Sequence, residues 1–253
     1  PEFDYCRNAN RIRTAFVKHG INVDYVRPED DLTKYKCIVL PTKYILTQDY
    51  AEKIKAYVAG GGVLLTTFRS GVKDEVNVPH EMILPGLLRE VTGVRVEEYE
   101  TIPKDHPYKI ASDGETYQAS VLADWAIAEQ AKVLATYQEE SLESYAALTV
   151  NQFGKGSAYY MATVIDDKLL ARLVNELIAK ASLAEYGLLP SGLEVCTRSN
   201  NKTQYVFVIN HGSADQHLAI NGLDLLSGQP VEGQLNLAAG EVAVVKVDKA
   251  GKD

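Results

Sequence analysis

Apolar residues recur at helical spacing in three segments of the chain, 3–19, 47–59 and 167–181. A spacing of three or four residues places apolar side chains on one face, so each segment is predicted to be an amphipathic helix. Gly20 is placed to end the first helix, and Thr47 is placed to cap the amino terminus of the second. No helix is predicted after residue 181.

Short apolar or alternating runs lie between these helices and predict strands. The run 63–67 is apolar throughout, as is typical of a parallel strand that is covered on both faces. Strands that alternate with helices at this pace predict a layered α/β sheet. The expected strands are 22–26, 37–40, 63–67, 94–102, 120–125, 132–137, 146–152 and 157–163.

The pattern changes near Leu189, after which only short strands and turns are predicted. The turn signals are Asn221-Gly222, Ser227-Gly228 and Ala239-Gly240. Several short strands separated in this way predict a small antiparallel sandwich. We therefore expect two domains, residues 1–188 and 189–253. The strands expected in the second are 193–198, 203–210, 216–220, 224–226, 234–237 and 241–247.

The polar loop that follows the strand 63–67 is the main candidate for a functional site. In α/β proteins, ligands and nucleophiles lie beyond the carboxyl ends of strands. Phe68, Arg69 and Ser70 occupy these positions, but no cysteine is near and Ser70 lacks the G-x-S-x-G pattern. We therefore expect no catalytic residue. The candidates for a binding or interface role are Arg69, Ser70, Lys73, Glu75 and Asn77. A solvated loop held by salt bridges is the alternative.

Charge and composition exclude several kinds of partner. The formal net charge of −8, with no basic run, argues against nucleic acid as a partner. No stretch approaches the roughly 18 apolar residues of a membrane span. The three cysteines are far apart and the five histidines lack metal-ligand spacing, so neither a metal site nor another cofactor is expected.

Six segments, in consistent order over nearly the whole chain, resemble the non-catalytic carboxyl-terminal half of the glycoside hydrolase family 42 β-galactosidases. They are GINVDYVRPEDD (20–31), YKCIVLP (35–41), the stretch 57–77 that ends in RSGVKDEVN, PGLLREVTGVRVEEY (85–99), ALTVNQFGKGSAYYMAT (147–163) and GLEVCTRSNNKTQYVFVINH (192–211). The resemblance implies a flavodoxin-like or class I amidotransferase-like trimerisation domain followed by a small β domain. It also implies a homotrimer from a bacterial, cytoplasmic enzyme.

In that family the catalytic module is a TIM barrel that precedes both domains and carries the two glutamates of a retaining mechanism. The resemblance therefore implies that galactoside binds through a barrel absent from this chain, and no catalytic residue can be carried over. The family's trimerisation domain also opens with a strand before the first helix, which this chain lacks. We expect a gap in the sheet, a substitute strand, or a neighbouring chain in that space.

Two other functions stay open at this point. A stand-alone amidotransferase-like enzyme would need a thiolate at the turn, where Phe68 stands, while Cys37 lies on a different strand. A carbohydrate-binding role of the second domain would rest on Tyr205, Phe207 and Asn210. Tyr205 and Phe207 share one strand face and are expected to be core residues.

Overall fold

The computed structural model describes residues 3–183, 186–200 and 202–248 of the chain. Two compact units are present. The first contains the described residues up to Arg11 together with Val26–Leu183, and the second contains Ile12–Tyr25 together with the described residues after 183. The domain boundary expected at residue 188 stays a prediction.

Three helices form where the apolar spacing predicts them, α1 (Tyr5–Val17), α2 (Gln48–Ala59) and the last helix, Asp167–Lys180. A further short helix, α3 (Arg89–Thr92), makes the last helix α4, and short 3-10 turns lie at Leu32–Lys34 and Gly86–Leu88. The Thr47 hydroxyl accepts a hydrogen bond from the Tyr50 N–H at 3.3 Å, which confirms the cap of α2. Gly20, with φ +69°, follows the end of α1.

The first unit is built on one nine-stranded mixed sheet. Its strands are β1 (Cys37–Leu40), β2 (Val63–Thr67), β3 (Val94–Thr101), β4 (Tyr108–Ser112), β5 (Glu115–Ala128), β6 (Lys132–Tyr137), β7 (Ala146–Phe153), β8 (Gly156–Met161) and β9 (Thr163–Ile165). The order is β1-β2-β8-β7-β6-β4-β5-β3, with β9 beside β5. β2 pairs in parallel with both β1 and β8, the remaining pairs are antiparallel, and every residue of β2 is buried. The predicted α/β class is confirmed.

Close packing between α2 and the parallel strands fixes where β2 and β8 begin. Ile54 and Val58 of α2 are fully buried in one cluster with Leu64 of β2. A Cβ at Gly156 would lie 2.2 Å from the carbonyl oxygens of Gly62 and Val58, so only glycine lets β8 approach the end of α2. From this edge β2 runs to Thr67, and the polar loop that follows lies at the opposite, carboxyl edge of the parallel strands.

The strand predicted at 22–26 is wrong, because residues 21–27 pair with no strand. The Asn22 side chain instead donates to the Thr197 carbonyl at 2.9 Å and accepts from the Thr197 N–H at 3.1 Å. An apolar run becomes a strand only where a neighbour offers a hydrogen-bonding edge. Among the described residues β1 pairs with β2 alone. The expectation that a gap, a substitute strand or a neighbouring chain takes the place of a first strand stays a prediction.

The second unit is a small antiparallel sandwich, as predicted. Its strands are β10 (Leu193–Ser199), β11 (Thr203–Asn210), β12 (Gln216–Ala219), β13 (Gly222–Asp224), β14 (Pro230–Val231), β15 (Gln234–Leu237) and β16 (Val242–Asp248). One sheet has the order β10-β11-β16-β13-β14 and the other pairs β12 with β15. Val195, Val206, Val208 and Val245 are among its buried core residues.

The expected core placement of Tyr205 and Phe207 is wrong. Both are half-buried, while Val206 and Val208, which alternate with them along β11, fill the core. Alternate residues of a strand face opposite sides of the sheet, so only one of the two sets can point inward. Asn210, also on β11, is fully buried and donates to the carbonyls of Ala214 and Ala238 at 2.9 Å.

Candidate functional site

Arg69 is the first residue of the candidate loop, and contacts hold both its backbone and its guanidinium. Its backbone has φ +57°, and its N–H donates to Asp124 Oδ2 at 3.1 Å. Its guanidinium lies 3.7 Å from the centre of the Tyr99 ring and 5.8 Å from that of Tyr44. Stacking of this kind fixes a guanidinium while leaving its N–H groups available. No carboxylate in the described part of the chain pairs with it.

Ser70 ties two loops together. Its side chain is buried, and its hydroxyl accepts a hydrogen bond from the Lys43 N–H at 3.0 Å. A second link of the same kind runs from the Thr42 N–H to the Thr67 hydroxyl at 2.7 Å. The loops that follow β1 and β2 are therefore joined side by side, and the Ser70 hydroxyl accepts its hydrogen bond from the backbone of the loop after β1.

Lys73, Glu75 and Asn77 lie on the exposed turn of the loop. Lys73 Nζ donates to Asn77 Oδ1 at 3.0 Å and lies 5.7 Å from the centre of the Tyr44 ring. The carboxylate of Asp74 accepts the N–H groups of two residues further along the turn, at 3.1 and 2.8 Å. Glu75 is exposed and pairs with no cation among the described residues. The alternative of a salt-bridged loop is therefore not observed there.

Segments that precede and follow the loop in the chain contact its backbone. Gly71 has φ +71°, and a Cβ there would lie 2.6 Å from the carbonyl oxygen of Pro85. The Leu46 N–H donates to the Lys73 carbonyl at 2.9 Å, and the His80 ring lies within hydrogen-bonding distance of the Leu46 carbonyl, at 3.2 Å. These contacts give the loop one defined backbone path.

Asp124 is the principal site residue that sequence reasoning missed. It lies on β5 opposite Tyr99, and its Oδ2 accepts hydrogen bonds from Tyr160 at 2.5 Å and from the Arg69 N–H. Burial raises the pKa of the carboxyl to about 6, against the lowering effect of these hydrogen bonds and of the Arg69 charge. Its Oδ1 is buried without a partner among the described residues. It stands in the apolar run VLADWAIA, where no local pattern marks it.

Exposed apolar side chains border the loop, and we call this set the apolar rim. Ladder contacts join Ile45 to Lys73 and Lys73 to Pro79, which brings the segments together. Exposed apolar side chains on segments joined in this way are candidates for contact with a partner. The apolar rim consists of Ile45, Val76, Val78, Met82 and Ile83, with exposed fractions of 42, 72, 53, 51 and 52%.

The positions that an enzyme of the amidotransferase type would use carry other residues. Phe68, directly after β2, is buried and packs edge-on against Phe3 with ring centres 5.3 Å apart. Cys37 stands at the amino end of β1, and burial raises the pKa of its thiol to about 12, which disfavours a thiolate. Among residues that the structure describes, no group of His, Cys, Asp and Glu could hold a metal ion.

Comparison with known families gives two matches in chain order. Residues 1–184 match the model of the β-galactosidase trimerisation domain, and residues 192–246 match that of the β-galactosidase C-terminal domain. Together the two models account for most of the chain. No helix in the described residues has the length and apolar character needed to cross a membrane.

Individual relatives agree with the family models. The β-galactosidase BgaB of a Geobacillus strain is 33% identical over 93% of this chain and 36% of its own length. The crystal structure of the enzyme from Bacillus circulans sp. alkalophilus superposes with a TM-score of 0.92 at 31% identity, over 96% of this chain and 38% of that one. The cold-adapted enzyme of Rahnella sp. R3 gives 0.89 at 26% identity, over 98% of this chain and 37% of its own. The chain therefore belongs to the glycoside hydrolase family 42 β-galactosidases, of which it comprises the trimerisation and C-terminal domains.

Proposed function

We propose that this chain is the assembly region of a β-galactosidase and holds three copies of the enzyme together. The match of residues 1–184 to the family's trimerisation domain is the observation that carries the proposal. The absence of a nucleophile at the turn after β2 supports an assembly role over catalysis, because Phe68 fills the position a thiolate would need.

The catalytic work belongs, in this proposal, to a TIM barrel elsewhere in the longer protein. The chain spans only about 36% of the length of relatives such as the Geobacillus enzyme, and a barrel of about 250 residues fits within the remainder. Two glutamates of that barrel would hydrolyse terminal β-D-galactosides by a retaining mechanism without a cofactor. We place the protein in the bacterial cytoplasm, a location that suits its free cysteines.

The solution mass of the chain tests the assembly role. Light scattering over a concentration series is expected to approach three times the chain mass of 27.8 kDa. A galactoside hydrolysis assay on the same sample is expected to give no activity above the buffer. A monomer at every concentration would refute the proposal that these residues carry the trimer contacts, and hydrolysis by the pure chain would refute the non-catalytic role.

The candidate loop is proposed to face a barrel and to shape the entrance of the active site. Its place beyond the carboxyl end of β2, with Arg69 unpaired and Glu75 exposed, supports this. Alanine at Arg69 and Glu75 in the longer enzyme is expected to raise KM for a galactoside several-fold. Unchanged kinetics and unchanged assembly would together contradict this role.

A further inference from the structure

Asp124 stands where a neutral side chain would suit the stability of the fold better. It is buried on β5, and burial raises the pKa of its carboxyl to about 6, so the group is mostly ionised at neutral pH. An ionised carboxylate in such a place destabilises the fold relative to a neutral group of the same shape. Asparagine has that shape and can accept the same hydrogen bonds from Tyr160 and from the Arg69 N–H. A buried charge of this kind is typical of a functional site.

The carboxylate contacts the candidate loop through the backbone of Arg69. Arg69 has φ +57°, a left-handed conformation that residues other than glycine adopt only where their surroundings hold them. Its N–H donates to Asp124 Oδ2 at 3.1 Å, and its guanidinium lies 3.7 Å from the centre of the Tyr99 ring. A hydrogen bond to an ionised acceptor is about twice as strong as one between neutral groups. The charge on Asp124 therefore helps to set where the guanidinium of Arg69 lies.

The surroundings of Asp124 determine which oxygen takes up a proton. Oδ2 accepts hydrogen bonds from Tyr160 and from the Arg69 N–H, whereas Oδ1 is buried without a partner among the described residues. A proton on Oδ1 turns Oδ2 into a neutral acceptor and removes the attraction between the carboxylate and the guanidinium of Arg69. Burial holds the pKa of Tyr160 on β8 and of Tyr137 on β6 well above the ordinary value, so both stay neutral. The carboxyl group of Glu100 on β3 acts on Tyr137.

We propose that Asp124 is the positioning residue of Arg69, and that a proton taken up on its Oδ1 releases Arg69 from the position in which it aids galactoside binding at the active-site entrance. The inference rests on the role proposed above for the candidate loop and names the group that makes this role dependent on pH. Above about pH 7 the carboxylate is ionised and holds Arg69. As the pH falls through about 6, the contribution of Arg69 to binding is lost.

Nuclear magnetic resonance of the chain, with isotope-labelled arginine, tests the contact between Asp124 and Arg69 without any substrate. The amide signal of Arg69, assigned by its loss in Arg69→Lys, is expected to shift with pH with a midpoint of about 6. In Asp124→Asn the signal is expected to stay in one position from about pH 5 to about pH 8, because no carboxyl remains to titrate there. Circular dichroism and thermal melts verify that each variant folds.

Two further variants identify the group that titrates. Tyr160→Phe is expected to move the midpoint to higher pH, because the hydrogen bond from Tyr160 lowers the pKa of Asp124. Asp31→Asn is the control, since Asp31 is a carboxylate of the same unit that accepts its hydrogen bonds from Thr33. It is expected to leave the midpoint of the Arg69 signal unchanged.

Kinetics of the longer enzyme test the consequence for binding. KM for a galactoside is compared with that of the unmodified enzyme at each pH, so that titrations in the catalytic module cancel. Arg69→Ala is expected to raise KM several-fold at about pH 8 and little at about pH 5, and Asp124→Asn is expected to follow the same pattern. The double variant is expected to raise KM no more than Arg69→Ala alone, because the two residues act as a unit. A merely structural Asp124 predicts instead an unchanged KM in Asp124→Asn, which is the more stable fold at neutral pH.

The outcomes separate this inference from the role proposed for the loop. If Arg69→Ala raises KM by the same factor at every pH, the loop role stands and the inference is overturned. If Arg69→Ala leaves KM unchanged at every pH, the loop role fails and the inference fails with it. An Arg69 amide signal that does not titrate, or that titrates equally in Asp124→Asn, overturns the inference whatever the kinetics show. A rise of KM in Asp31→Asn equal to that in Asp124→Asn would also overturn it.

Discussion

Asp124 is a carboxylate that the fold keeps away from water, and this makes its effect on stability dependent on pH. Its pKa in the folded protein is about 6, above the ordinary value of 3.8, so the folded state binds this proton more tightly than the unfolded state. The residue's contribution to stability is therefore present at low pH and is lost as pH rises from about 4 to about 6. A difference of this size corresponds to about 3 kcal/mol.

We predict that Asp124→Asn removes this pH dependence. The amide oxygen can still accept the hydrogen bonds from Tyr160 and from the Arg69 N–H. Relative to the unmodified chain, the variant should gain about 3 kcal/mol in free energy of unfolding between pH 4 and pH 7. Urea unfolding at several pH values measures this gain.

Asp31→Asn is the control for that experiment, because the pKa of Asp31 is lowered by hydrogen bonds from Thr33. A carboxylate with a lowered pKa stabilises the fold at neutral pH and loses that contribution in acid. The control should therefore lose stability relative to the unmodified chain as pH rises through its titration. Parallel pH profiles for Asp124→Asn and the unmodified chain would contradict the proposed state of Asp124.

The loop residues of the site could be found from the sequence, whereas the residues that hold them could not. Arg69, Ser70 and Lys73 follow within a few residues of a recognisable strand end. Strand ends are where α/β proteins place ligands. Asp124 and Tyr99 are brought to Arg69 only by the order and register of β3 and β5. Strand order depends on pairing between distant segments, which local patterns do not encode.

At the scale of elements, the path of the candidate loop depends on Gly71. Alanine there would have to adopt φ +71° and to place its Cβ 2.6 Å from the carbonyl oxygen of Pro85. The positive φ costs about 1 kcal/mol, and the contact with backbone atoms adds a displacement of the loop or of Pro85. We predict that Gly71→Ala lowers the free energy of unfolding by about 2 to 4 kcal/mol in urea titrations.

Gly114→Ala isolates the part of that loss which comes from backbone conformation. Gly114 has φ +77°, close to that of Gly71, but a Cβ there meets no atom within 4 Å. Its substitution should cost only about 1 kcal/mol. Equal losses at the two glycines would mean that the contact between Gly71 and Pro85 does not hold the loop.

The elements best predicted from the sequence are those with local signals. Helix α2 and strand β2 follow from the Thr47 cap, the glycines that end the helix and a continuous apolar run. Strand β5 is longer than expected, Glu115–Ala128 against 120–125, because it pairs in turn with β3, β4 and β9 and shifts register near Val121, where φ is +73°. The segment 22–26, by contrast, does not form a strand, because it has no partner strand.

At the scale of the whole molecule, three copies joined by one repeated contact form a closed ring in which each copy offers two different surfaces. A pair of copies has one such contact, whereas a closed trimer has three. Once two copies are joined, the third copy makes two contacts at the cost of one association, so the trimer is favoured over the dimer.

Sedimentation velocity over a concentration series is therefore expected to show monomer and trimer with little dimer between them, if the chain has the assembly role proposed for it. A dimer that dominates at intermediate concentration would indicate a two-fold contact, in which the same surface meets itself. Species heavier than a trimer would mean that the rotation between neighbouring copies does not close after three, and either result would exclude the ring.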